Sequence, residues 1–247
     1  MKFPMKKTSF ALSMVLMASA LVLPLSVSAQ QSPQLVVPTA PAASIEEYTS
    51  RLLGLNQITP RQNPQYKLGS TALNHRLLDQ NRRGLGEVTD ITLGEGGSLK
   101  SIEADVMATG FDQTLVFDVV AYNVISDSDA FSVTMTRDQV QDNLPDLMAQ
   151  MDTAAGEDGG QPITVKSLIG ARVQTSKGTQ IAVVDDVLIQ EQRKVAAALL
   201  ITLMGGAGRT TVAVPYMDAK IDRRGSKATV EVSEEQARVI SNYAKKR

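Results

Sequence analysis

The strongest constraint on this 247-residue chain is that its middle resembles its end. A shift of 96 to 97 residues lays 85–93 (LGEVTDITL) over 181–189 (IAVVDDVLI). Both stretches read apolar–small–x–Val–x–Asp–apolar–x–apolar. Each then reaches a turn, at 94–97 (GEGG) and 190–193 (QEQR), and Leu99 and Ile102 match Val195 and Ala198 in a further strand. After one slipped residue, Val124 matches Ile221, and 131–136 (FSVTMT) matches 228–233 (ATVEVS). The first of these last stretches alternates strictly with period two, the mark of a half-buried strand. Each copy then closes on a capping box, Thr136-x-x-Gln139 and Ser233-x-x-Gln236, with Met135/Val140 and Val232/Ala237 at the two positions of a hydrophobic staple. A helix is expected after each box. Pro145 should end or kink the first, and the second runs to the basic tail Lys245-Lys246-Arg247.

A chain built this way must fold one small unit twice. Each copy is short strands between turns, with no strand–helix alternation, so a parallel α/β sheet is not expected. The fold class read from this is mainly β: two tandem small barrels, each closed by a short C-terminal helix. Closing a barrel also removes exposed sheet edges. The copies are placed at 68–150 and 164–247. The linker between them, 151–163, is centred on TAAGEDGGQP.

The residues before the first copy read as an address and a tether. Lys2, Lys6 and Lys7 precede an apolar run from Phe10 to Leu23, then Pro24 and small residues up to Ala29. That layout is a secretory signal peptide over 1–29, with cleavage between Ala29 and Gln30. The alternative is a retained anchor, since the uncharged span from Thr8 to Gln30 is just long enough to cross a bilayer; Pro24 argues against it. Residues 30–67 read as a Pro/Gln/Ala-rich linker holding a short helix near 45–53. Ser44 and Glu47 form its capping box and Gly54 its C-cap. That segment reads as a helix packed on a neighbouring domain, with a helix that docks a partner and a disordered segment as the alternatives.

Composition excludes much chemistry. Cys is absent, so there is no disulfide framework, thiol nucleophile or iron–sulfur site. One His cannot build a multi-His metal site, and a 4% aromatic content is poor for base stacking. The leader holds three Lys and no acid, so 25 basic residues become 22 against 26 acidic, a net charge of −4. Such a chain has no electrostatic reason to bind nucleic acid. An exported, Cys-free protein fits a bacterial periplasm.

The second copy resembles the PRC-barrel family, named for the photosynthetic reaction-centre H subunit and including the C-terminal domain of the ribosome-maturation factor. The matching residues are Leu168-Ile169-Gly170, the Lys177-Gly178 turn, the strand from Ile181 to Val187, the hydrophobic strand from Val195 to Leu203, and Val214-Pro215-Tyr216. Ala182 stands where the family usually has Gly. The first copy keeps Gly86, Val88 and Asp90, but has Asn74 for the initial Gly and Asp118 near the Pro215 position. The resemblance implies docking and assembly roles, with no shared catalytic residues.

Individual residues add little chemistry. His75 reads as a strand-end residue without a positioned partner. Asp90 and Asp186 share a repeat position, with Asp185 beside the latter, and read as carboxylates accepting backbone N–H groups in the following turn. The acidic loop Ser126-Asp127-Ser128-Asp129 lacks the Gly and distal Glu of a calcium loop. Gly205, Gly206, Gly208 and Arg209 lead into a strand, not a helix, so they form a hairpin tip, a candidate partner contact, and not a phosphate cradle. The run 195–201 is apolar at both parities and should be buried on both faces.

The expected function is that of a non-enzymatic, periplasmic scaffold that binds a protein partner, at or near a membrane surface, with no catalytic residue, cofactor or metal. The alternatives are a hydrolase or small-ligand protein with a site in the inter-barrel cleft, and an envelope protein tethered by an uncleaved anchor.

Overall fold

In a computed structural model, residues 38, 40–107, 113–127, 129–153, 161–204 and 209–246 are described. The first half runs α1 (Ile45–Gln57), β1 (Tyr66–Leu68), α2 (Gly69–Ala72), β2 (Arg76–Leu78), β3 (Gly84–Leu93), β4 (Leu99–Val106), β5 (Gln113–Asp118), β6 (Ile125–Ser126), β7 (Ala130–Ser132) and α3 (Arg137–Asp142). The second runs α4 (Leu144–Thr153), β8 (Ile163–Thr164), α5 (Val165–Leu168), β9 (Arg172–Thr175), β10 (Gln180–Gln190), β11 (Val195–Leu203), β12 (Thr211–Pro215), β13 (Lys220–Arg223), β14 (Ala228–Val232) and α6 (Glu234–Ala244).

The strands form two seven-stranded sheets of one design. The first has the order β5-β4-β3-β2-β7-β6 and the second β12-β11-β10-β9-β14-β13. Each is antiparallel except for one parallel ladder, β2 with β7 and β9 with β14. Backbone details also recur at the 96-residue spacing. Asn74 and Gly170 are both left-handed (φ 72° and 82°), as are Arg82 and Gly178 (φ 60° and 82°). Asn is one of the few residues that tolerates this region, which explains how the first half manages without the initial Gly.

The seventh strand of each sheet comes from the other half. β1 pairs with β10, placing Leu68 opposite Leu188, and β8 pairs with β3, placing Thr164 opposite Thr92. The helices travel with their strands. Leu55 of α1 lies buried on the outer face of the second sheet, and α4, with Leu147 fully buried, packs on β5 of the first. The sequence pattern placed the two units in tandem, and it did not reveal that each half hands its leader to the other.

That exchange explains the doubly apolar strand. One face of β11 points into a continuous core that joins both sheets, through Leu199 and Ile201. Its other face, with Ala198 and Leu200, packs with Leu188, Ala213, Leu55 and Tyr66. Burying a leucine of this kind contributes about 1.5–3 kcal/mol.

Several expectations are corrected. Each sheet is β-barrel-like, but among the described residues no ladder joins the two ends of its path, β5 to β6 or β12 to β13. The edges are covered instead: the Asn56 side chain bonds the β12 backbone as a neighbouring strand would, donating to Ala213 O (2.7 Å) and accepting from Ala213 N (2.9 Å). Gly54 is interior to α1, which extends to Gln57. The stretch read as a linker thus contains a docked helix and the start of β1. Ser44 caps α1 through Glu47 N, but the Glu47 carboxylate bonds Ala43 N and not Ser44 N. The helix after the Thr136 box does end ahead of Pro145, at Asp142, but a separate helix follows, with Pro145 in the first turn of α4, where a missing N–H is tolerated. Both expected capping boxes, at Thr136 and Ser233, are formed.

Candidate functional site at the seam

The repeated carboxylates lie on the seam between the halves. In β3 the pairing slips between Val88 and Asp90, and in β10 between Val184 and Asp186. Each slip is a bulge that inserts one extra residue, Thr89 or Asp185, and re-aims the aspartate that follows. Asp186 Oδ1 accepts its own neighbour Val187 N (2.8 Å) and Ser70 N of α2 (2.9 Å), and Ser70 Oγ donates to Oδ2. Asp90 Oδ1 accepts Ile91 N (2.8 Å) and Lys166 N of α5 (3.0 Å). Each carboxylate therefore bonds the first turn of the short helix that the other half sends across. The expected partners lay in the following turn; the bulge turns the side chains toward the crossing leader instead. Packing is close here: a Cβ on Gly69 would sit 2.7 Å from Val165 Cγ1. Asp185 faces outward and pairs with Arg61.

Hairpin tips interlock beside these caps. The tip of the β3–β4 hairpin, a 3-10 turn at Glu95–Gly97, packs on the 3-10 turn Tyr216–Asp218. A Cβ on Gly97 would meet the Tyr216 ring at 2.7 Å, and Gly97 is left-handed (φ 79°), so glycine is required twice over. Ser98 bridges to Val195 and Leu99 N donates to Lys194 O (2.8 Å), joining the two hairpins directly.

Two depressions flank this crossing. One is lined by Leu99, Ile102, Val119, Val124 and Phe131, with Lys67, Ser126 and Glu191 as polar groups. Lys67 pairs with Glu191 and donates to Asp127 O, and Ser126 Oγ donates to Glu191. His75 precedes β2, half-buried against the Phe131 ring at 6.0 Å between centroids. Burial, and then the Lys67 charge, hold its pKa below the ordinary histidine value. Its Nδ1 is buried without a protein partner. The other depression, about 970 Å³ and open to solvent, is lined by Lys100, Ser101, Glu95, Ile163, Tyr216 and Ile221.

The α1 arm has its own anchor. Asp218 Oδ1 accepts Ala42 N (2.6 Å) and Arg51 Nη1 (3.0 Å). Burial raises the Asp218 pKa above the usual carboxylate range despite both partners. The Tyr48 hydroxyl, buried nearby, is pushed above the ordinary tyrosine value by burial and then by the Asp218 charge. Asp79, with a fully buried side chain, is the opposite case. Burial alone would raise it, but Arg83 N, Arg83 Nε and Asn81 N hold it below the usual range.

The remaining sequence candidates do not converge with these groups. Ala29, Gln30, Gly205, Gly206 and Gly208 lie outside the described residues. Arg209 is exposed just before β12, and Thr202 opposite Thr211 makes β11 and β12 a hairpin, as expected. In the acidic loop, Asp127 pairs with Arg82 and Ser126 with Glu191. Among the described residues, no group of three or more His, Cys, Asp or Glu side chains is placed to hold a metal ion. No helix among them is long and apolar enough to cross a membrane. Asn56, Lys67, Glu191 and Asp218 were not singled out from the sequence: nothing local marks a residue whose partner is more than a hundred positions away.

Residues 163–237 match the PRC-barrel domain. The match opens at β8, on the first sheet, and runs through the second sheet into α6. No curated protein matches the chain.

Proposed function

We propose that the protein is an exported, non-enzymatic scaffold of two tandem PRC-type barrels that holds a protein partner in the cell envelope. One observation carries this reading. The sheet within the PRC-barrel match has the strand order and register of the sheet outside it, bulged aspartate included. The first half is then a divergent second copy. The shared residues serve the scaffold: Asp90 and Asp186 cap helices, and Asn74 and Gly170 make the same turn. The N-terminal charge and apolar pattern supports export to a periplasm, with Gln30 as the first mature residue.

The test is cross-linking in intact envelopes followed by recovery of the tagged chain and mass measurement of its N-terminus. A chain beginning at Gln30, recovered with a defined envelope protein, is the expected outcome. A chain beginning at Met1 contradicts cleavage and favours a tether. Turnover of an envelope substrate with no partner recovered contradicts the scaffold and favours a hydrolase. A second reading rests on the open depression at Lys100, Glu95 and Tyr216, whose mixed polar and apolar lining suits a small ligand. Loss of binding of such a ligand on Lys100→Ala would favour it.

A further inference from the structure

The seam has the internal symmetry of a dimer interface. Leu68 meets Leu188 and Thr164 meets Thr92, the same register with the halves interchanged. Asp186 caps α2 and Asp90 caps α5, again interchanged. The chain crosses the seam twice, and each crossing turns on a left-handed residue, Asn74 or Gly170, bonded to the strand it joins: Asn74 N to Val88 O and Gly170 N to Val184 O, both 2.8 Å. Contacts of the form i with j and j with i are the rule of isologous dimers and are not required of two domains joined by a linker.

We propose that the seam is a homodimer interface made intramolecular by fusion, and that the partner each half accepts is the other, a sheet with its own leader, α1–β1–α2 for the first and β8–α5 for the second, with no need of the covalent link between them. Neither half is complete alone. Without α1 and β1 the second sheet would expose Leu188, Ala198, Leu200 and Ala213, now all buried. Without β8 and α5 the first sheet would lose a strand beside β3 and the helix that Asp90 caps. The leaders have no sheet of their own half to fold against, so association and folding of the halves are one event. Two halves exchanging arms in this way need no covalent joint to recognise one another.

The full-length chain carrying a specific protease site within 154–160 tests this. The folded protein is cut and run on a sizing column in native buffer at micromolar concentration. The two fragments should elute together at the mass of the uncut chain. Asp186→Ala, which removes the cap on α2 without touching the cut, should weaken their association tenfold or more. Fragments that part and elute separately overturn the proposal. So does an association unchanged by Asp186→Ala, since the exchanged leader would then carry none of the recognition. Cutting after folding makes the result independent of whether either fragment refolds by itself.

Discussion

Asp186 and Asp90 follow the same bulge in the two sheets but do not carry equal weight. Asp186 is buried and accepts three hydrogen bonds, two of them across the seam; Asp90 is half-buried and accepts two, one across. Hydrogen bonds to a charged group are worth about 1.5–3 kcal/mol, and stranded buried donors add to the loss. Asp186→Ala should therefore destabilise by about 3 kcal/mol and Asp90→Ala by about half that, read from urea unfolding midpoints at unchanged slope. Equal losses, or the reverse order, would remove the seam from the explanation. His75 gives a second residue-level test. Its folded pKa lies below the ordinary value, so the folded chain binds fewer protons than the unfolded chain between the two. Stability then rises as pH rises through that window, up to about pH 6.5, and falls as pH drops through it. His75 is the chain's single histidine, so His75→Gln should flatten the melting-temperature profile between pH 5 and 7. Asp218, whose pKa burial raises, is common to parent and variant, so the difference between their profiles isolates His75. A profile unaltered by His75→Gln would contradict the assignment.

At the scale of elements, α1 is part of the second sheet's architecture. It supplies a substitute for the strand that β12 lacks, through Asn56, and an apolar lid, through Leu55. Asn56→Ala leaves Ala213 N and O without partners and should cost about 1–3 kcal/mol. Leu55→Ala opens a cavity and should cost about 2–5 kcal/mol. Hydrogen exchange through local opening should then rise more at β12 than at β5, which α4 covers. Equal change at β5 would mean that α1 does not act locally. Much of this level was legible in the sequence. An N-cap at Ser44 and capping boxes at Thr136 and Ser233 start helices, period-two alternation gave strands, and the doubly apolar run at 195–201 demanded two covers. What those covers are could not be read. Periodicity reports that a face is buried, and it does not say by what; the residue facing Leu200 comes from a helix some 145 positions earlier, and no local pattern encodes that distance. The same limit hid the parallel ladders and the exchange of β1 and β8. Asp90 and Asp186 could be recognised as structural from their repetition, but their partners belong to the tertiary fold alone.

Taken whole, the molecule is two equivalent sheets that cannot come apart without each losing a strand, a helix and a hairpin contact. A tether between independent barrels would leave two domains free to unfold separately. Reciprocal exchange instead places the leaders' free energy in a common account, and one core cluster runs through both halves. The most direct test is differential scanning calorimetry of the intact chain. Interlocked halves require a single transition, with equal calorimetric and van't Hoff enthalpies. Two resolved transitions, or a calorimetric enthalpy near twice the van't Hoff value, would show that the halves unfold independently and would contradict the exchanged architecture.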